Sequence, residues 1–265
     1  RRWHVTGTVP DRGDRAAFSA MDTLLALPME QVTRDALSGV ARLQLADTYY
    51  VKIFSGAGNR MQHLIGTGRF QRELRNYGYF AELGLATPEL VAWGCDTRLG
   101  LLQRAVLVTR EVQGAIDLEK YIHSGGLYSD GVAGAREILG QWADATRLFH
   151  QHGFYHGDLK ARNVLVRRIA AGKSQLLYFD CPRGYHPPRA MLRHCIVREL
   201  AHIERGLQGR VRRVDLMHMY RRYRNVEKLG ADDKALARDA LRYYAQRHMT
   251  RKRRIREARR RRRSS

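Results

Sequence analysis

The stretch FYHGDLKARNVLV, Phe154–Val166, sets His156, Asp158, Lys160 and Asn163 at fixed intervals just ahead of an apolar, strand-like run. Its spacing is H-x-D-x-K-x-x-N. Four named residue types at roughly 5% usage each, over about 260 starting points, give a chance rate on the order of 10⁻³. The flanks add to it. AREILGQWADATRLFHQHG (135–153) reads as a helix: Ile138, Trp142, Ala145 and Phe149 share a face, and Gly153 ends it. Beyond the loop, NVLVRR and QLLYFD flank IAAGKS as a hairpin. A helix, a polar loop and a hairpin in this order is the setting a phosphoryl-transfer catalytic loop requires. The simpler alternative is a helix-to-strand turn rich in polar residues.

Phosphoryl transfer needs few further parts: a cation on the nucleotide phosphates, a carboxylate to orient that cation, metal ligands, and a base for the acceptor hydroxyl. Each has a candidate. Asp158 is placed to take the acceptor proton, Lys160 to neutralise the transferring group, and Asn163 to ligate magnesium through its amide oxygen. His156 braces the loop. Asp180 ends QLLYFD, seventeen residues after Asn163, and an acid at a strand end completes a magnesium pair with that amide. A strand-ending turn aspartate is the alternative. Lys52 lies within the apolar strand YYVKIF, where a lone lysine is costly unless paired or solvated. Glu73 on the following helix is the expected partner, with Glu82 on the same helix as the competitor; an exposed edge-strand lysine is the other alternative. The order of elements also puts a connector at LVTREVQG, whose backbone around Thr109 to Glu111 is expected to meet adenine by analogy alone. A phosphate-covering glycine loop is weak: DALSGVARL has one glycine, and Gly56 and Gly58 of SGAGNR read as an anion nest or an ordinary turn.

Working outward, residues 1–30 read as an extension in which AAFSAMDTLLALPM forms a short amphipathic helix. Strands follow at 31–37, with a bend at Ser38-Gly39, and then at ARLQLA and TYYVKIF, joined by a turn at Ala46-Asp47. TGRFQRELRNYGYFAEL (67–83) is a helix with Phe70, Leu74, Tyr77 and Leu83 near one face. PELVAWG and AVLVTREV are strands, and DLEKYI is a short helix capped by Asp117. Beyond Arg189 the chain is helical, with a last helix from about Asp232. The expected fold is α+β in two lobes: an extension (1–30), a β-rich lobe with one helix (31–112), a helical lobe with the catalytic loop (113–250) and a basic tail (251–265).

The formal net charge is +22, of which ten Lys/Arg and one Glu in residues 251–265 contribute +9, leaving +13 on the other 250 residues. Such a field attracts nucleic acid, anionic lipid headgroups or phosphorylated glycans. A tail of like charges also reads as a solvated, unfolded end. Cys95, Cys181 and Cys195 form no CxxC pair or even framework, which fits reduced thiols in a cytosolic compartment. The twin arginines at the start have no apolar run behind them, and no run of about 18 apolar residues occurs, so any membrane contact is expected to be peripheral.

Together, YYVKIF, REL…YFAELGLATPELVAWG, LVTREVQG…LEKYI, HGDLKARNVLV and YFDCPRG resemble the protein-kinase-like fold and, more narrowly, the lipopolysaccharide kinases of Gram-negative bacteria, the Kdo/WaaP group, over roughly residues 35–225. The HGDLK form leans towards the Kdo-kinase or InaA-like branch. The resemblance implies ATP- and Mg²⁺-dependent phosphorylation of an inner-core sugar, Kdo or heptose, on lipopolysaccharide core glycolipid at the cytoplasmic face of the inner membrane. It carries nucleotide and metal roles onto Lys52, Glu73, Asn163 and Asp180, and the base role onto Asp158. Where protein kinases show Asp-Phe-Gly, this chain has Asp180-Cys181-Pro182, with Pro182 stiffening the segment. No Ala-Pro-Glu follows, and about fifteen residues are expected between Asp180 and the next helix, so the acceptor is expected to be a glycan rather than a peptide. Basic patches and the tail are expected on an anionic membrane surface. The competing readings are another small-molecule or RIO-like protein kinase, and a nucleic-acid-binding protein with an inactive kinase fold.

Overall fold

The computed structural model describes residues 2–7, 12–34, 38–55, 68–99, 101–170 and 172–245. The Gly56/Gly58 turn and the basic tail lie outside the described residues. The chain divides into two compact units, Arg1–Ala115 with Leu177–Gly184, and Ile116–Leu176 with Tyr185–Ser265. The α+β expectation holds: the first is built on a sheet and the second mostly on helices.

In the first unit, β1 (Arg2–Val5), β2 (Glu30–Arg34), β3 (Ser38–Gln44), β4 (Thr48–Ser55), β5 (Leu90–Arg98) and β6 (Leu101–Arg110) form one sheet in the order β1-β5-β6-β4-β3-β2. Every neighbouring pair is antiparallel. The two-residue period of a strand sorts the side chains of β4 to opposite faces. Tyr49, Val51 and Ile53 join a core with Phe18, Met21, Leu24, Leu43, Val91 and Val106. Phe54, on the opposite face, meets Phe70 of α3 (Arg69–Glu82), with Ala105 and Leu107. Lys52 shares the parity of Phe54. The strand's alternation thus delivers its one lysine to the face covered by α3.

Two short helices, α1 (Arg12–Ala17) and α2 (Met21–Leu25), stand where one amphipathic helix was expected. Phe18, Met21 and Leu24 still fill the core, and β1 pairs with β5 in register Trp3↔Gly94. A Cβ at Gly94 would lie 2.3 Å from the Arg2 carbonyl, so this close approach needs glycine. The Ala46-Asp47 turn is held from outside: buried Asp14 accepts from the amides of Ala46 (3.1 Å) and Asp47 (3.4 Å) and from the Tyr49 hydroxyl (2.7 Å). Ser38 and Gly39 do not form the expected bend. They pair with Phe54 and Ile53 as the first rungs of the β3–β4 ladder, because β4 is long enough to extend that ladder to its end.

A three-stranded sheet, nearly all of it in the second unit, runs β7 (Ala115–Asp117), β8 (Val164–Ala170) and β9 (Lys173–Tyr178), in that order. The last two residues of β9 begin the Leu177–Gly184 segment of the first unit. Helix α4 (Leu118–His123) is capped as expected, the Asp117 carboxylate accepting from the Lys120 amide at 2.8 Å. In α5 (Gly131–Gln151), Ile138, Trp142, Ala145 and Phe149 are all buried. Helix α6 (Arg189–Leu207) starts nine residues after Asp180, not about fifteen. Pro188 at its N-cap supplies a fixed φ and ends the loop early. Helix α7 (Arg213–Arg224) packs on α5, and a final helix, α8, covers 231–245. A cavity of about 890 Å³ among α5–α8 is lined by Leu207, Val211, Leu216, Met217 and Tyr220, and by none of the candidate site residues. Among the described residues no helix is long and apolar enough to cross a membrane.

Candidate phosphoryl-transfer site

The first unit holds a partly buried charge cluster. Lys52 Nζ donates to both carboxylate oxygens of Glu73, at 2.8 and 2.7 Å, and to Asp180 Oδ1 at 2.5 Å. Glu73 is the partner, not Glu82, because Glu73 falls on the stripe Phe70–Glu73–Asn76–Phe80 that α3 buries. Glu82 closes the helix and is exposed. The Glu73 side chain is 2% exposed. Burial pushes its pKa up to about 7, with the charge of Asp180 adding and that of Lys52 opposing. Burial works against the Lys52 ammonium too, but Glu73 and Asp180 together outweigh it and raise its pKa.

Asp180 has a left-handed backbone, φ +56°. Aspartate tolerates that region better than most residues. The segment after it is tied to α3: Asn76 Nδ2 donates to the carbonyls of Cys181 at 2.7 Å and Gly184 at 3.3 Å. One helix therefore holds the lysine through Glu73 and, one turn on, the Asp180–Gly184 loop through Asn76.

Thr109 is buried in β6 opposite Tyr50 and Leu90. The Glu111 amide donates to the Thr48 carbonyl at 2.9 Å. Its carboxylate accepts from Tyr50 Oη at 3.1 Å and faces Arg42 Nε at 3.7 Å.

The second unit holds the loop. Asp158 forms an ion pair with Lys160, two residues on. Asn163 Nδ2 donates to the Asp158 carbonyl at 2.9 Å and to its Oδ2 at 3.3 Å, from a 3₁₀ turn spanning Ala161–Asn163. His156 is fully buried, edge-on to Phe149 at 5.8 Å. Gly157 has φ +80°, a conformation that suits glycine.

Beneath the loop lies a buried hub. Glu199 of α6 accepts from the amides of Gly157 (2.9 Å) and His156 (3.2 Å), and meets His150 Nε2 at 3.2 Å. His150 Nδ1 in turn meets Tyr223 Oη at 2.9 Å. Burial alone would raise the Glu199 pKa. The His150 hydrogen bond and charge, the His156 charge and the Gly157 amide outweigh burial and hold it below its ordinary value. Glu199 and Asn76 escaped the sequence reading. The available signal was a polar residue inside a buried stripe: Glu199 stands between Cys195 and Ile203 at four-residue spacing, all buried.

The donor chemistry fits a hard cation such as magnesium, which takes one or two protein oxygens and fills its shell with phosphate and water. Asp180 and Asn163 are oxygen donors of this kind. Among the described residues no group of three His, Cys, Asp or Glu is arranged to cage a metal by itself.

Residues 30–239 match the model of the Lipopolysaccharide kinase (Kdo/WaaP) family. Among solved structures, one described as "WaaP in complex with acyl carrier protein" superposes with a TM-score of 0.67 at 19% sequence identity, covering 92% of this chain and all of that one. That likeness establishes the fold. No curated protein matches the chain in sequence.

Proposed function

The chain belongs to the lipopolysaccharide kinase (Kdo/WaaP) family, and from that premise we propose that it transfers the terminal phosphoryl group of ATP to a hydroxyl of an inner-core sugar, Kdo or heptose. The observation that supports this most strongly is the Lys52 ammonium held by Glu73 on one side and Asp180 on the other. A lysine fixed by a helix carboxylate, beside an acid at the end of a strand, suits nucleotide phosphates and their metal.

In this reading Lys52 binds phosphate oxygens and Glu73 keeps its amine aimed. Asp180 and Asn163 hold Mg²⁺, which when bound offsets charge on the phosphates. Asp158 accepts the proton of the attacking hydroxyl. Lys160 offsets charge on the group in transit. The adenine contact at Thr109–Glu111 rests on the order of elements alone. The acceptor reading also draws support from the short Cys181–Pro188 connection, which offers little length for a peptide-docking segment.

The basic surplus supports a peripheral position on the anionic, cytoplasmic face of the inner membrane, near phosphorylated lipid A. Each Lys or Arg near such a surface contributes about 1 kcal/mol, within a Debye length. Removing residues 251–265, which carry +9, should weaken binding to anionic vesicles while leaving turnover on a soluble acceptor within about twofold; equal loss of both would count against a docking role. The function itself is tested by mass spectrometry of core oligosaccharide from cells with and without the protein. One phosphate fewer on a located inner-core sugar is expected without it. Identical core masses would refute the proposal.

A further inference from the structure

Helix α6 does more than hold the catalytic loop through Glu199. Around that residue it presents His194, Arg198, His202 and Arg205, spaced three or four apart and so on one side. Arg198 adjoins Glu199, and His202 is one turn beyond it, so both flank the residue that grips the Gly157 amide. Arg198 also lies over the ring of Tyr155 at 5.9 Å, three residues before Asp158. Facing this strip from α8 are Tyr243 and Tyr244. His202 meets Tyr243 at 6.5 Å and Tyr244 at 5.7 Å between ring centroids, and His194 meets Tyr243 at 6.1 Å.

Helix packing explains part of this strip. Arg205 caps the Tyr244 ring at 4.2 Å and anchors α8 on α6. It does not explain Arg198, whose Nε is buried with no hydrogen-bond partner, and whose guanidinium has no carboxylate partner, among the described residues. A guanidinium kept half-buried without an anion is costly in a purely structural role. His202 likewise has ring neighbours but no hydrogen-bond partner among the described residues. Burial, then the charges of Arg198 and Lys160, push the His202 pKa down. Its ring is therefore chiefly an uncharged donor and acceptor near neutral pH.

We propose that Arg198, His202 and Tyr243 form the acceptor subsite, which takes an anionic sugar. Arg198 pairs with a carboxylate or phosphate of the acceptor, His202 hydrogen-bonds a ring hydroxyl, and Tyr243 offers its face to the sugar's C–H surface. All three belong to the unit that carries Asp158. The assignment rests on the sugar-kinase reading and deepens it by naming what selects the acceptor: a fixed cation and an aromatic face.

The test uses the full chain, ATP and purified, deacylated inner-core glycolipid. Transfer by the wild type tests the kinase reading itself. The subsite is tested by Arg198→Gln, His202→Gln and Tyr243→Leu, with Arg198→Lys as the conservative variant. Loss of one charge-assisted hydrogen bond should raise the acceptor KM about tenfold or more in Arg198→Gln, and Arg198→Lys should recover part of it. The KM for ATP should stay within about twofold. Two further arms use glycolipid stripped of its phosphates and glycolipid with its carboxylates reduced. The arm that erases the difference between wild type and Arg198→Gln identifies the anion, and persistence of the difference in both arms overturns the proposal. So does an unchanged acceptor KM, or a matching loss in ATP KM and Tm, which would mark a structural role. If the wild type transfers nothing to the glycolipid, the function reading falls; the subsite is then judged by direct glycolipid binding, and equal affinity in wild type and Arg198→Gln overturns it.

Discussion

Lys52, Glu73 and Asp180 reach one another from a strand, a helix and a loop separated by as many as 128 positions, whereas His156, Asp158, Lys160 and Asn163 fall within eight consecutive residues. The first group is held by its own charges. Two carboxylates share one ammonium, and for the pair with buried Glu73 the interaction is strong and a missing partner costly. The second group is held from behind, by a carboxylate that accepts from the backbone amides of His156 and Gly157. In the proposed reading, the charged cluster carries function and cohesion in the same atoms. The loop separates them, because its candidate side chains are supported through backbone amides.

That contrast predicts how each half fails. The largest effect on turnover should come from Asp158→Ala. Removing a general base costs about 10²- to 10⁴-fold in rate, while nucleotide affinity and Tm stay near wild type because Glu199 still holds the loop. A large drop in nucleotide affinity would show that function and support are not separated there. Lys52→Ala should break both at once. Nucleotide binding and turnover should fall together, and Glu73 loses its cation, a change worth about 3 kcal/mol in a buried pair. Chemical denaturation combined with nucleotide titration reads both; a Lys52 variant of unchanged stability would contradict the charge-held picture.

The difference between the halves also sets what the sequence could reveal. The loop is legible because its candidate residues are close together and their spacing is improbable by chance. Lys52 is legible because an apolar strand makes one lysine conspicuous, and Glu73 is favoured over Glu82 by its place near the N-terminal end of the helix; the stripe the helix buries, Phe70–Glu73–Asn76–Phe80, differs from the expected face through Leu74, Tyr77 and Leu83. The strand–helix–strand order of the first unit follows from alternation and periodicity. Supports are harder to see. Glu199 and Asn76 act through backbone atoms more than 40 and 100 positions away, and no local pattern encodes such a partner. Strand β1, within the 1–30 extension, escaped the sequence reading for a similar reason: it pairs along the edge of β5, and its four residues are too few to signal themselves. The helix beyond Asp180 starts at Arg189, behind Pro188, so the connection is shorter than the roughly fifteen residues expected.

Glu199→Gln sharpens the comparison from the supporting side. Its folded pKa lies below the unfolded value, so its contribution is complete above the unfolded value and is lost as pH falls through the folded one. The variant should cost about 2 kcal/mol at pH 7, and progressively less in acid, where the wild type loses the same interaction. Thermal melts across pH 3–7 check this; a penalty that does not shrink in acid would argue against an ionised Glu199. The smallest effect is expected from Asn76→Ala. It frees the carbonyls of Cys181 and Gly184 and should lower stability by about 1–2 kcal/mol. If α3 positions the metal ligand, it should also raise the Mg²⁺ concentration needed for half-maximal turnover. A stability loss with unchanged Mg²⁺ dependence would confine Asn76 to a packing role.

The most direct measurement is transfer of labelled phosphate from ATP to purified inner-core glycolipid by the wild-type chain and by Asp158→Ala, with the product located by mass spectrometry. The account predicts one phosphate on one inner-core sugar with the wild type and none above background with the variant. Equal labelling by both, or labelling of casein or an aminoglycoside in place of the glycolipid, would contradict it.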